Sequence, residues 1–272
     1  MGTFEKVSAF YDAYNGKKRI YGYSETGLPL YAMQVGDGAK TVVVQCAIHA
    51  REYVTAGVGL KLLQDEWDAS VWVLPLTNPD GVKIAEEGTG WLSPERAKKI
   101  QRFARGKDLS LYKANADGVD LNVNFHARWG TGSQNVFSPA TEHYVGPFWE
   151  SAAETKALVS FTKDVHPSAT VSLHTKGEVV YWSFYQTGQA RLRDYRLAQA
   201  FSDASGYPLG NAGASAGGYK DWCIDALKIP SLTVELGADS LSHPIGWKRA
   251  QSLYAPVQKG LRAYIQALME KI

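Results

Sequence analysis

Cysteine is nearly missing: only two occur in 272 residues. A disulfide framework is thereby excluded, since such scaffolds are held by several cysteine pairs in short secreted chains. Cys46 sits in an apolar run and Cys223 follows Trp222, so both read as core thiols. An excess of one charge is lacking too. With 29 Lys and Arg against 27 Asp and Glu, the net charge of +2 offers no basis for binding nucleic acid or an anionic membrane.

No apolar run approaches transmembrane length. Met1-Gly2-Thr3-Phe4-Glu5-Lys6 has no basic region followed by a long apolar stretch, so no signal peptide is visible. Gly2 opens a myristoylation pattern that Lys6 breaks, where Ser or Thr is required. The expectation is a soluble cytoplasmic protein, or a secreted one if a leader preceded this numbering. Repeats, linkers and low-complexity segments are absent, so residues 1–272 read as one domain. Its 45% hydrophobic content suffices for a soluble core.

What is present is an α/β pattern. Phe4 to Tyr14 reads as a short helix stopped by Asn15-Gly16. Arg19 to Ser24 and Leu30 to Val35 read as an edge hairpin turning at Gly27-Leu28-Pro29. Thr41 to Ala47 is a β-branched run of the kind buried on both faces of a parallel sheet. A helix through Leu63 and a strand from Ser70 to Leu76 follow, implying a right-handed crossover. Asn78-Pro79-Asp80-Gly81 reads as a turn on composition. Helices are expected over Pro94 to Phe103, Phe148 to Val165, Arg191 to Ser205 and Gly246 to Met269. Strands are expected over Ala169 to Leu173, Val179 to Phe184 and Ile229 to Val234, and a mobile loop over Gly206 to Gly218. The fold class is α/β: one mixed, mostly parallel central sheet with helices on both faces.

Three of these apolar strands run straight into ionisable residues: His49 with Glu52 three further on, then His174, then Glu235. In open α/β sheets ligands bind beyond the carboxyl ends of parallel strands. His-x-x-Glu alone is common, and a capped helix start with solvated charges explains it equally well. All three arrivals on one rim are a different matter. Two imidazoles and a carboxylate form a zinc site with a position left for water. Glu235, off the metal, is then placed to move the proton in amide hydrolysis. Asp120, in the polar cluster Gly118 to Phe125, is the candidate carboxylate behind a ligand imidazole.

The residues at this point resemble the zinc carboxypeptidases of the carboxypeptidase A type, the standing example of a His₂Glu catalytic site. The marks are His49-Ala50-Arg51-Glu52, Asn78-Pro79-Asp80-Gly81, Gly118-Val119-Asp120-Leu121-Asn122, Ser172-Leu173-His174 and Thr233-Val234-Glu235, spanning nearly the whole chain. The resemblance implies one zinc ion per chain on His49, Glu52 and His174, with Glu235 as general base. Asp120 would orient His49 and Arg51 would line the substrate side. Arg105, fifteen residues before Asp120, falls where the family keeps its oxyanion-stabilising arginine.

Two departures bear on substrate. Classical members follow the Asn with an Arg, and the pair grips the terminal carboxylate; here Asn122 is followed by Val123. The family's loop tyrosine would fall at about Gly213. Tyr112-Lys113-Ala114-Asn115 and Lys176-Gly177-Glu178-Val179-Val180-Tyr181-Trp182 resemble the bacterial γ-D-glutamyl-diamino acid peptidases, which cut murein stem peptides. Lys220 stands where the family sets pocket specificity, and its ammonium suits a carboxylate on diaminopimelate. The expected partner is a murein stem peptide. The alternatives are a conventional carboxypeptidase, an aminoacylase-like deacylase, or a catalytically dead domain that binds wall peptides.

Overall fold

The computed structural model describes residues 1–211 and 213–270. In chain order the elements are α1 (Thr3–Ala13), β1 (Lys18–Tyr23), β2 (Pro29–Val35), β3 (Thr41–Cys46), α2 (Val54–Leu62), β4 (Ser70–Leu74), α3 (Pro79–Glu87) and α4 (Pro94–Ala104). Then come α5 (Ala153–Val165), β5 (Ala169–His174), β6 (Val179–Tyr181), α6 (Gly188–Ser205), β7 (Leu209–Gly210), α7 (Tyr219–Asp225), β8 (Ser231–Glu235) and α8 (Ala250–Met269). Among the described residues no helix is long and apolar enough to cross a membrane.

Among the described residues eight strands form one sheet in the order β1-β2-β4-β3-β5-β8-β6-β7. The central four, β4, β3, β5 and β8, are parallel. The β1-β2 hairpin joins β4 antiparallel and β6 joins β8 antiparallel, so the sheet is mixed with a parallel heart. Side-chain alternation sends Val42, Val44 and Cys46 to the face covered by α2, α6 and α8, while Val43 meets α5 and α7. With both faces covered, β3 has to be apolar throughout, which is why its run is uninterrupted. Both cysteines are buried and free, as expected.

Asn78-Pro79-Asp80-Gly81 is not a free turn. It starts α3: the Asn78 side chain accepts from the Gly81 amide at 2.9 Å and Pro79 occupies the first helical position. Turn and helix-start signals share the same residues, since both need a short polar cap and a fixed φ. The helix expected from Phe148 begins only at Ala153 and leaves Phe148 and Trp149 exposed. Within the loop expected over Gly206 to Gly218, Leu209–Gly210 pairs with β6; Ala212 lies outside the described residues.

Behind the sheet, Asp80 and Glu154 are both fully buried. Asp80 accepts from Ser24 Oγ and Thr26 N, and Glu154 accepts from Asn115 Nδ2. Burial, and then the charge of Asp80, push the Glu154 carboxyl from 4.5 up to about 8. A raised folded-state value means that stability is complete below about pH 4.5 and is lost as pH rises toward 8. The melting temperature of Glu154→Gln relative to wild type should therefore climb between pH 5 and pH 9, by several degrees at roughly 2–4 °C per kcal/mol. Parallel melting curves across that range would mean Glu154 does not carry the proton.

Candidate metal centre and active site

The carboxyl ends of β3, β5 and β8 meet on one rim, with His174 and Glu235 as register partners. After β3 the chain turns through Ala47, whose φ of 50° is left-handed. The fully buried Asn78 pins this turn, its Nδ2 donating to the carbonyls of Ile48 and Ala114 at 3.1 and 3.0 Å. A single 3-10 turn over Ala50–Glu52 then closes with the Glu52 amide on the His49 carbonyl. That spacing sets the His49 and Glu52 side chains together.

Both imidazoles present Nδ1 inward. Glu52 Oε1 lies 2.9 Å from His49 Nδ1, Glu52 Oε2 lies 3.0 Å from His174 Nδ1, and the two Nδ1 atoms are 3.2 Å apart. One donor atom from each residue lies within 4.8 Å of the others, and all three are buried. The outer nitrogens are held from behind. His49 Nε2 is 3.4 Å from Asp120 Oδ1, and His174 Nε2 is 3.2 Å from Ser172 Oγ, which in turn donates to Gln45 Oε1. With a metal bound, those outer contacts would keep the ring protons on Nε2 and leave Nδ1 to the ion, the tautomers a metal needs. Two neutral nitrogens and one carboxylate are a fitting zinc donor set.

Electrostatics agree with a cation here. Burial raises the Glu52 carboxyl, but the two imidazoles more than offset this and hold it well below 4.5. Burial opposes charge on His49, yet Glu52 and Asp120 together lift it to about 9. Asp120 is kept anionic against its burial by His49, Lys113 and the His143 amide. Glu235 experiences the reverse: burial, and then the Glu52 charge, push it up to about 8.

A cavity of about 330 Å³ opens in front of this group, lined by His49, His174, Glu235, Asn122, Val123 and Lys113 among others. A second of about 350 Å³ adjoins it, sharing Asn122 and Glu235 and reaching Lys220, Asp221, Tyr181 and Thr233. Asn122 stands between them, its Oδ1 accepting from the Tyr219 amide at 3.1 Å.

Arg105 corrects the sequence reading. It caps α4 in a left-handed conformation, is exposed, and lines neither cavity. The cation in the cavity is Lys113, partly buried and with no hydrogen bond or ion pair among the described residues. Its backbone is bound on two sides, the Ala50 amide donating to its carbonyl and its own amide to Thr141. Arg51 lines neither cavity, Nη1 lying 3.4 Å from the Leu111 carbonyl and 3.9 Å from Glu142, although its charge acts on Glu235. Lys220 is not a free ammonium: only 5% exposed, it is paired with Asp221 and donates to the Ser183 carbonyl at 3.0 Å. Helix α7, seven residues long and too short for periodicity to announce, buries both. Ser172, Lys113 and Asp221 went unassigned in the sequence, although Ser172 stands two before His174 and strand alternation puts them on one face.

Gly213, in the tyrosine's expected place, has a φ of 60° and open space around it. Val123 lines the cavity where classical members place an arginine.

The model of the zinc carboxypeptidase family matches residues 14–265. The chain is 27% identical over 265 residues to the gamma-D-glutamyl-L-diamino acid endopeptidase 1 of Lysinibacillus sphaericus, covering 90% of this chain and 66% of that one. It is 25% identical to the carboxypeptidase B of Rattus norvegicus, covering 80% of this chain and 57% of that one. The chain thus spans less than two thirds of the length of either of these curated relatives. In fold it is similar to bovine thrombin-activatable fibrinolysis inhibitor, with a TM-score of 0.81 at 18% identity over 99% of this chain and 96% of that one. It is likewise similar to the murein-tripeptide amidase MpaA from Escherichia coli O157, with a TM-score of 0.61 at 22% identity over 97% and 96%.

Proposed function

The chain belongs to the zinc carboxypeptidase family, and from that premise we propose that it hydrolyses the amide bond between γ-D-glutamate and a diamino acid such as diaminopimelate in murein peptides. The observation that carries this reading is the buried Lys220–Asp221 pair at the end of the cavity beside Glu235. An ammonium and a carboxylate side by side offer a partner to each half of a zwitterion and keep the pocket neutral. A lone anion or cation entering there would be left uncompensated at a buried site. Val123 supports the same reading, because it removes the guanidinium that a classical member offers to a C-terminal carboxylate. The similarity to the Lysinibacillus endopeptidase agrees with it.

The roles follow from geometry. His49, Glu52 and His174 would hold one zinc ion per chain. Zinc there supplies a Lewis acid and lowers the pKa of water from near 16 to roughly 7. Glu235 takes the proton from the attacking water and returns it to the departing diamino acid nitrogen. Lys113 meets the charge that develops on the carbonyl oxygen. Asp120 and Ser172 keep the two imidazoles turned with Nδ1 inward. Asn122, between the cavities, offers its amide to the substrate backbone.

The test is incubation with L-Ala-γ-D-Glu-meso-diaminopimelate, with and without chelator, products read by mass spectrometry. Release of free diaminopimelate, abolished by chelator and restored by zinc, is expected. Trimming of ordinary peptides from the C-terminus in its place would make the chain a conventional carboxypeptidase. Lys220→Ala should raise KM for the diaminopimelate substrate about tenfold or more, the range for losing one partner of a charged hydrogen bond. It should discriminate less against a substrate with lysine in that place. An unchanged KM would remove Lys220 from the pocket's chemistry.

A further inference from the structure

One buried polar side chain in the centre of the sheet has no role in the chemistry above. Gln45 stands in β3 between Val44 and Cys46, and all three are fully buried. A primary amide in that place is costly unless its polar atoms find partners. Gln45 is bound at both ends, and by side chains. Its register partner on β5 is Ser172, so strand pairing sets the two side by side on one face of the sheet. Ser172 Oγ donates to Gln45 Oε1, and Gln45 Nε2 donates to Oγ1 of the buried Thr77 at 3.0 Å. On its other side Ser172 Oγ lies 3.2 Å from His174 Nε2. Four side chains thus form a file from His174 back to Thr77, and neither Gln45 nor Thr77 lines a cavity of the site.

The direction of these hydrogen bonds is coupled, because a hydroxyl has one proton to give. The Ser172 proton goes to Gln45, so the serine can offer His174 only a lone pair. That lone pair accepts from an Nε2–H and leaves Nδ1 for the metal. A Gln45 amide turned round would present its N–H groups to Ser172 and send the serine proton toward His174, which calls for the opposite tautomer. The contact with Thr77 keeps the amide in the useful sense. We propose that Gln45 and Thr77 are positioning residues for the zinc ligand His174, acting through Ser172 to hold the ring proton on Nε2. The place of Thr77 adds to this. Its amide donates to the Cys46 carbonyl, and the next residue, Asn78, pins the turn that carries His49. One dipeptide beyond β4 therefore braces both imidazoles from behind. The inference rests on the zinc reading of the trio and is independent of the substrate.

The test is the zinc affinity of the folded full chain, measured by competition with a chelator, together with nitrogen NMR of the imidazoles in the zinc-loaded protein. Gln45→Met and Thr77→Val should each weaken zinc binding about tenfold, the low end of the range for partners behind a metal ligand. In both, the His174 Nε2 proton should exchange with solvent faster than in wild type. Thr77→Ser, which keeps the hydroxyl, should restore wild-type affinity and exchange. Gln45→Glu should also keep zinc, since a protonated carboxyl accepts from Ser172 and donates to Thr77 as the amide does. A merely structural role predicts the reverse, with the buried acid the most damaging of the four. Gln45→Met placed on Ser172→Ala should cost little beyond Ser172→Ala alone, because the glutamine acts through the serine. Wild-type zinc affinity in Gln45→Met and Thr77→Val, with only the melting temperature lowered, would overturn the proposal. If Gln45→Met does not fold, Thr77→Val against Thr77→Ser decides. A wild-type chain that binds no zinc would remove the metal site and the relay together, whereas failure to cut murein peptides would leave both standing.

Discussion

Glu235→Gln should bind zinc as wild type does and lose about 10²- to 10⁴-fold in kcat, the range that a positioned general base contributes. The substitution isolates the proton-transfer role. Glu235 lies off the ligand trio, so exchanging a carboxylate for an amide leaves His49, Glu52 and His174 with all their contacts. Its backbone is fixed by β8, paired with His174 on one side and Val179 on the other, so the amide takes the same place. What is lost is the ability to accept a proton. Glu235 borders both cavities, which on the proposed reading would hold the scissile carbonyl and the leaving group. Burial and the Glu52 charge push its carboxyl up to about 8, while a cation at the trio favours the ionised form, so its service as a base depends on the metal being bound. Zinc content by mass spectrometry and kcat by product release decide the matter. Full zinc with near-normal kcat would move the base elsewhere, and lost zinc would make Glu235 part of the ligand environment.

The core of this arrangement was legible in the sequence because its parts are strand endings. Val42–Val44 are apolar on both faces, and Val171–Leu173 and Leu232–Val234 are buried on both faces with only Ser172 and Thr233 polar, as central parallel strands require. Their carboxyl ends then must share a rim, so His49, His174 and Glu235 converge without any loop having to be traced. Residues carried by loops were not legible in that way. The place expected for Arg105 rests on counting through a loop, and in the fold it caps a helix in solvent instead. Lys220 was identified by position, but its burial and its partner depend on α7 packing under the Ser183 carbonyl, a contact between residues 37 apart. The Asn78 segment shows the same limit: its residues announce a bend in the chain, and only the Gly81 amide shows that the bend begins a helix.

Lys113 is the sharpest case, and it yields the second large expected effect. The phrase Tyr112-Lys113-Ala114-Asn115 marked the branch of the family without assigning its lysine a task. In the fold, the backbone of residues 112–114 runs between the His49-to-Arg51 turn and Thr141, hydrogen-bonded to both, and this carries Lys113 into the cavity beside His49. Its charge acts on His49, Asp120 and Glu235 alike. No carboxylate among the described residues neutralises it at salt-bridge distance, so its ammonium is available to an oxyanion. Lys113→Ala should lower kcat about 10²- to 10³-fold, as loss of one oxyanion partner does elsewhere. The melting temperature should hardly change, because no described contact is lost. Lys113→Arg should recover much of the rate, since the role asks for a fixed positive charge. Arg105→Ala, removing a solvated charge at a helix end, should leave kcat within about twofold, as surface substitutions do. The opposite pattern, a neutral Lys113→Ala with a damaging Arg105→Ala, would mean that the α4 end folds over bound substrate and that the family count was right after all.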